Sequence, residues 1–274
     1  MIKPLETILM PSHIMLERNY LSAINSIRLS QAIARAKTAF TGNKSGVNAV
    51  LWSLKIADIT MNGDLRQSFD NAPTVLLLAA GGSVRFGSDK RSFVLDSKKT
   101  LLQQSISQYK DIGLEVFVCL SGRRDDDFLA SMLLRESVGC LRCSRAAEGM
   151  GGTLSEGVSA IGDVPGILVA LADMPGLLSQ TVLRILENAD SERIVYPVFE
   201  GRRGHPVLFG RRYLSLLREL SGDAGASKLL RENVENCVPV PVVDPGVLLD
   251  VDTLGDIQGI ERLLQGRSST GEST

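Results

Sequence analysis

Thr74-Val75-Leu76-Leu77-Leu78-Ala79-Ala80-Gly81-Gly82-Ser83-Val84-Arg85-Phe86-Gly87-Ser88-Asp89-Lys90 opens as an apolar run and breaks at two glycines into a basic loop. A short, unbroken apolar run ending in glycine is a strand buried on both faces. The glycines let the backbone turn tightly and approach a ligand closely. Successive N–H groups in such a turn form a concavity that binds anions. Arg85 adds a planar fork of donors and Lys90 a compact point charge. A polyphosphate needs this combination. Two common phosphate loops do not fit. Gly82 and Gly87 have the G-x-x-x-x-G spacing, but Ser88 stands where a P-loop has lysine, and G-x-G-x-x-G is absent.

Outward from this loop, apolar runs alternate with amphipathic segments. Strands are expected at 74–80, 115–121, 138–143, 166–172, 194–199, 206–209 and 238–243, with a short one at 247–251. Helices are expected at 100–111, 125–135, 153–161, 180–189, 211–220, 226–232 and 255–264. This alternation makes β-α-β units with right-handed crossovers. The expected architecture is three-layer αβα, Rossmann-like, with a mainly parallel sheet. A late antiparallel hairpin is expected around Gly201–Gly204. Ligands in such sheets bind beyond the carboxyl ends of the strands, so the loops after Ala80, Ala172 and Val251 matter most.

The 30 Lys+Arg against 31 Asp+Glu leave a net charge of −1. That balance disfavours a chain-wide grip on nucleic acid or acidic membrane. No apolar run approaches the ~18–20 residues that span a bilayer. Four cysteines are too few for a disulfide scaffold, so a cytoplasmic setting is expected. Residues 1–73 read differently from the rest. Arg18 to Ala57 holds no Asp or Glu and six Lys/Arg. This stretch is expected to be a poorly ordered extension or an over-long start with Met61 as initiator. Targeting, or a small helical segment over Tyr20–Phe40, are its other readings. A single folded domain is expected over 74–265, and 266–274 as a flexible tail.

Leu78-Ala79-Ala80-Gly81-Gly82-Ser83-Val84-Arg85-Phe86-Gly87-Ser88-Asp89-Lys90 resembles the L-A-A-G-x-S-x-R-[MF]-G-x-x-K signature of the MobA-like nucleotidyltransferases. These include the molybdenum cofactor cytidylyl- and guanylyltransferases. Further segments match in order. Gly149-Met150-Gly151-Gly152-Thr153-Leu154 with Gly157-Val158 is similar to G-M-x-S-S-L-x-x-G-V. Ala172-Asp173-Met174-Pro175 is similar to G-D-M-P, and Gly204-His205-Pro206-Val207-Leu208-Phe209 to the cytidylyl-type G-H-P-V-L-F. Gly222-Asp223-Ala224-Gly225-Ala226 and Asp250-Val251-Asp252-Thr253 complete the set. Departures include Ala172 for glycine, Gly151-Gly152-Thr153 for a Ser-rich triplet, Ser227 for a basic residue and Leu254-Gly255-Asp256 for Pro-Glu-Asp.

The resemblance implies nucleotidyl transfer. An acceptor phosphate attacks the α-phosphorus of a nucleoside triphosphate and pyrophosphate leaves. A phosphate monoester has a second pKa near ~6 and is mostly dianionic at neutral pH, so charge neutralisation matters more than a general base. The resemblance assigns Asp173 and Asp252 to Mg²⁺, with Asp250 kept as an alternative. It assigns Gly81, Gly82, Ser83, Arg85 and Lys90 to phosphates, with Arg85, Lys90 and Asp173 catalytic. Leu78, Ala80, Gly151 and Gly152 would frame the base, and Gly204, His205 and Pro206 would meet the acceptor. Ala80, where guanylyl-type members carry glycine, narrows the slot and favours CTP. The implied acceptor is molybdopterin, and a molybdenum hydroxylase apoenzyme is an implied recipient. Competing readings are guanylyl or sugar-phosphate transfer, or a non-catalytic cofactor carrier. Cys140-Leu141-Arg142-Cys143 lacks a second ligand pair for zinc and sits on a strand, so it is read as incidental. Arg202-Arg203 is a pair that an anionic substrate could meet.

Overall fold

The computed structural model describes residues 72–270 apart from Val84, Arg124, Asp125 and Ala224. The expectations for the extension, Tyr20–Phe40 and Met61 included, lie outside these residues. Eight strands form one mixed sheet: β1 (Thr74–Leu78), β2 (Val116–Leu120), β3 (Gly139–Arg142), β4 (Gly166–Leu171), β5 (Ile194–Phe199), β6 (Arg202–Arg203), β7 (Val207–Gly210) and β8 (Cys237–Pro241). Their order is β3-β2-β1-β4-β7-β5-β6, and β8 pairs with β5. The β1–β2, β1–β4, β2–β3 and β5–β8 pairs are parallel. The expected late excursion is present. β5 turns back into β6, and β7 then runs antiparallel between β4 and β5.

Seven helices accompany the sheet: α1 (Leu101–Lys110), α2 (Asp126–Arg135), α3 (Met150–Ile161), α4 (Ser179–Leu186), α5 (Leu214–Arg218), α6 (Ser227–Glu232) and α7 (Leu254–Thr270). The period of two along β1 explains the layers. Val75, Leu77 and Ala79 pack with Ile106, Leu129 and Val182 on one face. Leu76 packs with Leu154, Val158 and Phe209 on the other. Each fully buried Leu or Val contributes about 1.5–3 kcal/mol through removal from water. α1 starts on a capping box: Thr100 Oγ1 accepts from Gln103 N, and Gln103 Oε1 accepts from Thr100 N.

Two expectations change at the C-terminal end. Residues 247–251 are not a strand. Pro245–Leu248 is a 3₁₀ turn capped by Asp244, whose side chain accepts from Gly246 N. The segment from Gly266, expected as a flexible tail, continues α7 to Thr270. The Ser/Thr/Gly composition points to disorder, but Arg267 is buried and reaches Asp244 Oδ1 at 2.7 Å and the Gly176 carbonyl at 2.5 Å. Asp244, 1% exposed, also accepts from Thr181 Oγ1 and Leu178 N. This pair pins α7 to the loop after β4 and the loop after β8. Arg267→Ala leaves Asp244 buried without its cation, and one-sided removal of such a pair costs about 3–5 kcal/mol. Urea unfolding of the variant is expected to show a loss of that size; an unchanged midpoint contradicts the pinning role.

Candidate functional site

Three loops converge at the carboxyl edge of the sheet. The loop after β1 carries Gly81 to Lys90, the loop after β4 carries Asp173, and the loop after β8 carries Asp250 and Asp252. Main-chain bonds tie them together. Ala172 N donates to the Leu78 carbonyl at 3.1 Å, and Val251 N donates to the Asp173 carbonyl at 2.9 Å. α1 steadies the middle loop from inside. Ser105 Oγ donates to the Ala172 carbonyl at 2.8 Å and Gln108 Nε2 to the Pro175 carbonyl at 2.6 Å. Asp256 Oδ2 accepts from Asp252 N, Thr253 N and Thr253 Oγ1, which fixes the third loop at the start of α7.

The Lys90 ammonium lies where these loops meet. It donates to Asp173 Oδ2 at 2.9 Å, the Val251 carbonyl at 2.6 Å and Asp252 Oδ1 at 3.2 Å. Burial alone would lower its pKa, but the two carboxylates outweigh that and raise it. Arg85 pairs with Asp252 Oδ2 at 2.8 Å at an exposed position; such a pair contributes about 0–1 kcal/mol. Both cations that the sequence reading assigns to phosphates thus rest on carboxylates it assigns to metal. Asp173, Asp250 and Asp252 each offer an oxygen, and these oxygens lie within 4.8 Å of one another. Asp173 Oδ1 is buried and has no hydrogen-bond partner. Three hard oxygen donors, one of them unpartnered, fit a small divalent cation such as Mg²⁺.

A cavity of about 540 Å³ opens over this cluster, within the usual range for a ligand site. Leu78, Ala80, Gly81, Gly82, Ser83, Arg85 and Lys90 line it, together with Asp173, Asp250 and Asp252 and with Gly149, Met150, Thr153 and Asp223. Gly151 and Gly152, expected to frame a base, are buried and not among the lining residues. A Cβ on Gly151 would lie 2.7 Å from the Gly222 carbonyl, and one on Gly152 2.5 Å from the Arg145 carbonyl. They permit close backbone packing, and the residues on either side of them face the cavity. Gly149, at φ +108°, has the left-handed conformation, and a side chain there would collide with the Asp223 carboxylate.

Gly204, His205 and Pro206 connect β6 to β7 at the same carboxyl edge and are not among the residues that line the cavity. His205 N donates to the Val247 carbonyl at 2.9 Å. Burial lowers the imidazole pKa, opposed by a backbone hydrogen bond to Val169. Its Nδ1 is buried without a partner. A neutral ring with an unsatisfied nitrogen suits a neutral polar contact rather than a cationic clamp on phosphate. Residues the sequence reading left unassigned include Ser105, Gln108 and Asp256. Their spacing marks helix faces but not the main-chain groups they hold. Cys143, read as half of an incidental pair with Cys140, is buried with Cys119 and Leu154 on the α3 side of the sheet. All four cysteines are free.

A mixed sheet with a phosphate-type glycine loop, facing acids from two later loops across a nucleotide-sized cavity, defines a nucleotidyltransferase. The MobA-like NTP transferase domain model matches residues 75–237. The chain is 30% identical over 190 residues to nicotine blue oxidoreductase of Paenarthrobacter nicotinovorans, covering 66% of this chain and 92% of that protein. Among solved structures, Rv0371c from Mycobacterium tuberculosis H37Rv is 25% identical with a TM-score of 0.57, over 70% of this chain and 99% of that one. A manganese complex of Rv0371c matches at 23% identity and a TM-score of 0.55, over 69% and 97%. A nucleotidyl transferase from Methanothermobacter thermautotroptrophicus superposes with a TM-score of 0.62 at 20% identity, over 72% and 99%. The protein therefore belongs to the MobA-like NTP transferase family.

The His205 environment has a direct test. Its ring proton and carbon shifts, followed by NMR against pH, are expected to titrate below the ordinary 6.5, leaving the imidazole neutral at pH 7. A midpoint above 6.5 contradicts a burial-dominated site.

Proposed function

We propose that this protein transfers CMP from CTP to a phosphorylated acceptor, molybdopterin being the favoured one, with Mg²⁺ as the metal and pyrophosphate as the leaving group. The observation that carries this reading is the meeting of Asp173 and Asp252 around Lys90, directly under the Gly81–Ser83 loop. An acceptor phosphate oxygen forms a bond to the α-phosphorus. The bond from that phosphorus to the bridging oxygen breaks, and its electron pair leaves with pyrophosphate. A dianion must approach a tetra-anion for this to happen. Unit charges ~4 Å apart at an effective dielectric of ~20 repel by about 4 kcal/mol. Arg85, Lys90 and the loop N–H groups offset such terms and hold the leaving group in line. Asp173 and Asp252, with Asp250 as a third donor, would hold Mg²⁺, which neutralises phosphate oxygens when bound. The manganese complex of Rv0371c, a structural neighbour, supports a divalent ion in this fold.

Ala80 lines the cavity, and its methyl group is the feature that favours a pyrimidine. Gly204, His205 and Pro206 would contact the acceptor from the neighbouring loop. Paired acids favour catalysis over a carrier role. Four free thiols suit a reducing cytoplasm, and no helix among the described residues is long and apolar enough to cross a membrane. The relative named as an oxidoreductase gives a second reading, in which the same cradle holds the nucleotide part of a redox cofactor. Pyrophosphate release with CTP or GTP and phosphorylated acceptors separates the two readings. Release with CTP supports transfer; oxidation of a reduced dinucleotide without release supports the second. Asp173→Ala is expected to abolish pyrophosphate release while the melting temperature holds. Ala80→Gly is expected to raise the kcat/KM for GTP relative to CTP by about tenfold, about 1.4 kcal/mol in barrier. Full activity in the first variant, or an unchanged ratio in the second, overturns the corresponding assignment.

A further inference from the structure

We propose that the buried Arg91–Asp126 pair is a positioning device that sets which nucleobase the cavity accepts, by clamping the carbonyls on either side of Ala80. This rests on the transferase reading above. Arg91 is 5% exposed although it immediately follows Lys90 on the loop. Its guanidinium makes three hydrogen bonds and one further ion pair. Nε donates to Asp89 Oδ1 and NH2 to Asp89 Oδ2, both at 2.8 Å, a bidentate fork. NH2 also lies 2.7 Å from Asp126 Oδ1, and NH1 donates to the Ala79 carbonyl at 2.7 Å.

The second half of the clamp starts from Asp126, which is completely buried at the start of α2. Burial would raise its pKa, but the Ser121 hydroxyl and Arg91 reverse that and keep it ionised. Ser121 Oγ donates to Asp126 Oδ2 at 2.7 Å and accepts from Arg123 Nε at 2.9 Å. Arg123 NH2 then reaches the Gly81 carbonyl at 3.3 Å. Two hydrogen-bonded arms, joined by the Arg91–Asp126 ion pair, therefore hold the Ala79 carbonyl at one end and the Gly81 carbonyl at the other. Ala80 lies between them and lines the cavity.

Energetics favour a positional role for this network. A buried ion pair is costly to desolvate, and well-packed apolar side chains of the same volume serve stability as well or better. A planar, multiply bonded guanidinium instead fixes direction and distance. A displacement of about 1 Å in a site of this kind can cost ~10²-fold in rate. A methyl group discriminates a pyrimidine from a purine only if the backbone beneath it does not yield. Arg91 also lines the cavity, but its guanidinium is engaged by Asp89, Asp126 and the Ala79 carbonyl, so it acts on the base through the placement of Ala80.

The test compares wild type with Asp126→Asn, Arg91→Lys and Ser121→Ala. Calorimetry with CTP and with GTP gives the affinity ratio, and inorganic triphosphate serves as the tail-only probe. Asp127→Asn, an exposed neighbour on α2 paired with Arg142, is the control. The network variants are expected to bring the CTP/GTP affinity ratio about tenfold closer to one, whichever base wild type prefers. Triphosphate binding is expected to stay within about twofold of wild type, and the control to change neither quantity. A purely structural role weakens all three ligands together and lowers the melting temperature, and that outcome overturns the proposal. Should Asp126→Asn fail to fold, Ser121→Ala carries the same reading because it removes two hydrogen bonds, those to Asp126 and from Arg123, and no charge. A wild type that prefers GTP refutes the CTP assignment alone. Discrimination that survives in the folded variants refutes this inference alone. A wild type that binds both bases equally refutes both.

Discussion

The Lys90 ammonium is the joint on which the carboxyl edge of the sheet turns. It reaches two carboxylates and one carbonyl that come from segments 83 to 162 residues away in sequence. Without that cation, Asp173 would lose its ion-pair partner and face Asp252, which would keep only its exposed pair with Arg85. The rest of the edge is arranged to present these groups to one another. β1 and β4 are hydrogen-bonded neighbours, so their following loops emerge side by side. β8 lies further along the sheet, beside β5, and its loop is drawn back by the bond from Val251 N to the Asp173 carbonyl.

The insertion of β7 has a related consequence. Because β7 runs against β4 and β5, the link that precedes it starts at the carboxyl edge, whereas a parallel strand would be entered from the other side. This reversal delivers Gly204 to Pro206 to the same rim as the acids. A wholly parallel sheet would put that tripeptide on the opposite edge of the molecule.

Much of this was legible in the residues, and the failures have physical causes. The order of strands and helices and the antiparallel excursion follow from periodicity and glycine placement. Asp173 is marked by its position after the apolar β4 strand, whereas Asp252, which follows no strand directly, is marked by the family pattern alone. What sequence could not show is which buried polar groups face which carbonyls. Ser105 and Gln108 share a helix with Ile106 and Tyr109, and nothing in their spacing announces that they hold Ala172 and Pro175. The packing of Gly151 and Gly152 in α3 was hidden for a similar reason. A glycine that admits a ligand and a glycine that admits a neighbouring backbone look alike in one dimension. Arg267 escaped because its partner Asp244 is distant in the chain and buried only in the folded protein.

The pin at Asp244 has a consequence for how the molecule comes into being. During synthesis the β1 loop and Asp173 leave the ribosome well before Val251 and Asp252, and Arg267 follows later still. Until that arginine arrives, Asp244 has no cation to offset its burial, and the loop carrying the final acid is held from one side only. The acidic cluster of Asp173, Asp250 and Asp252 is therefore a late product of translation, assembled only after most of the sheet has left the ribosome.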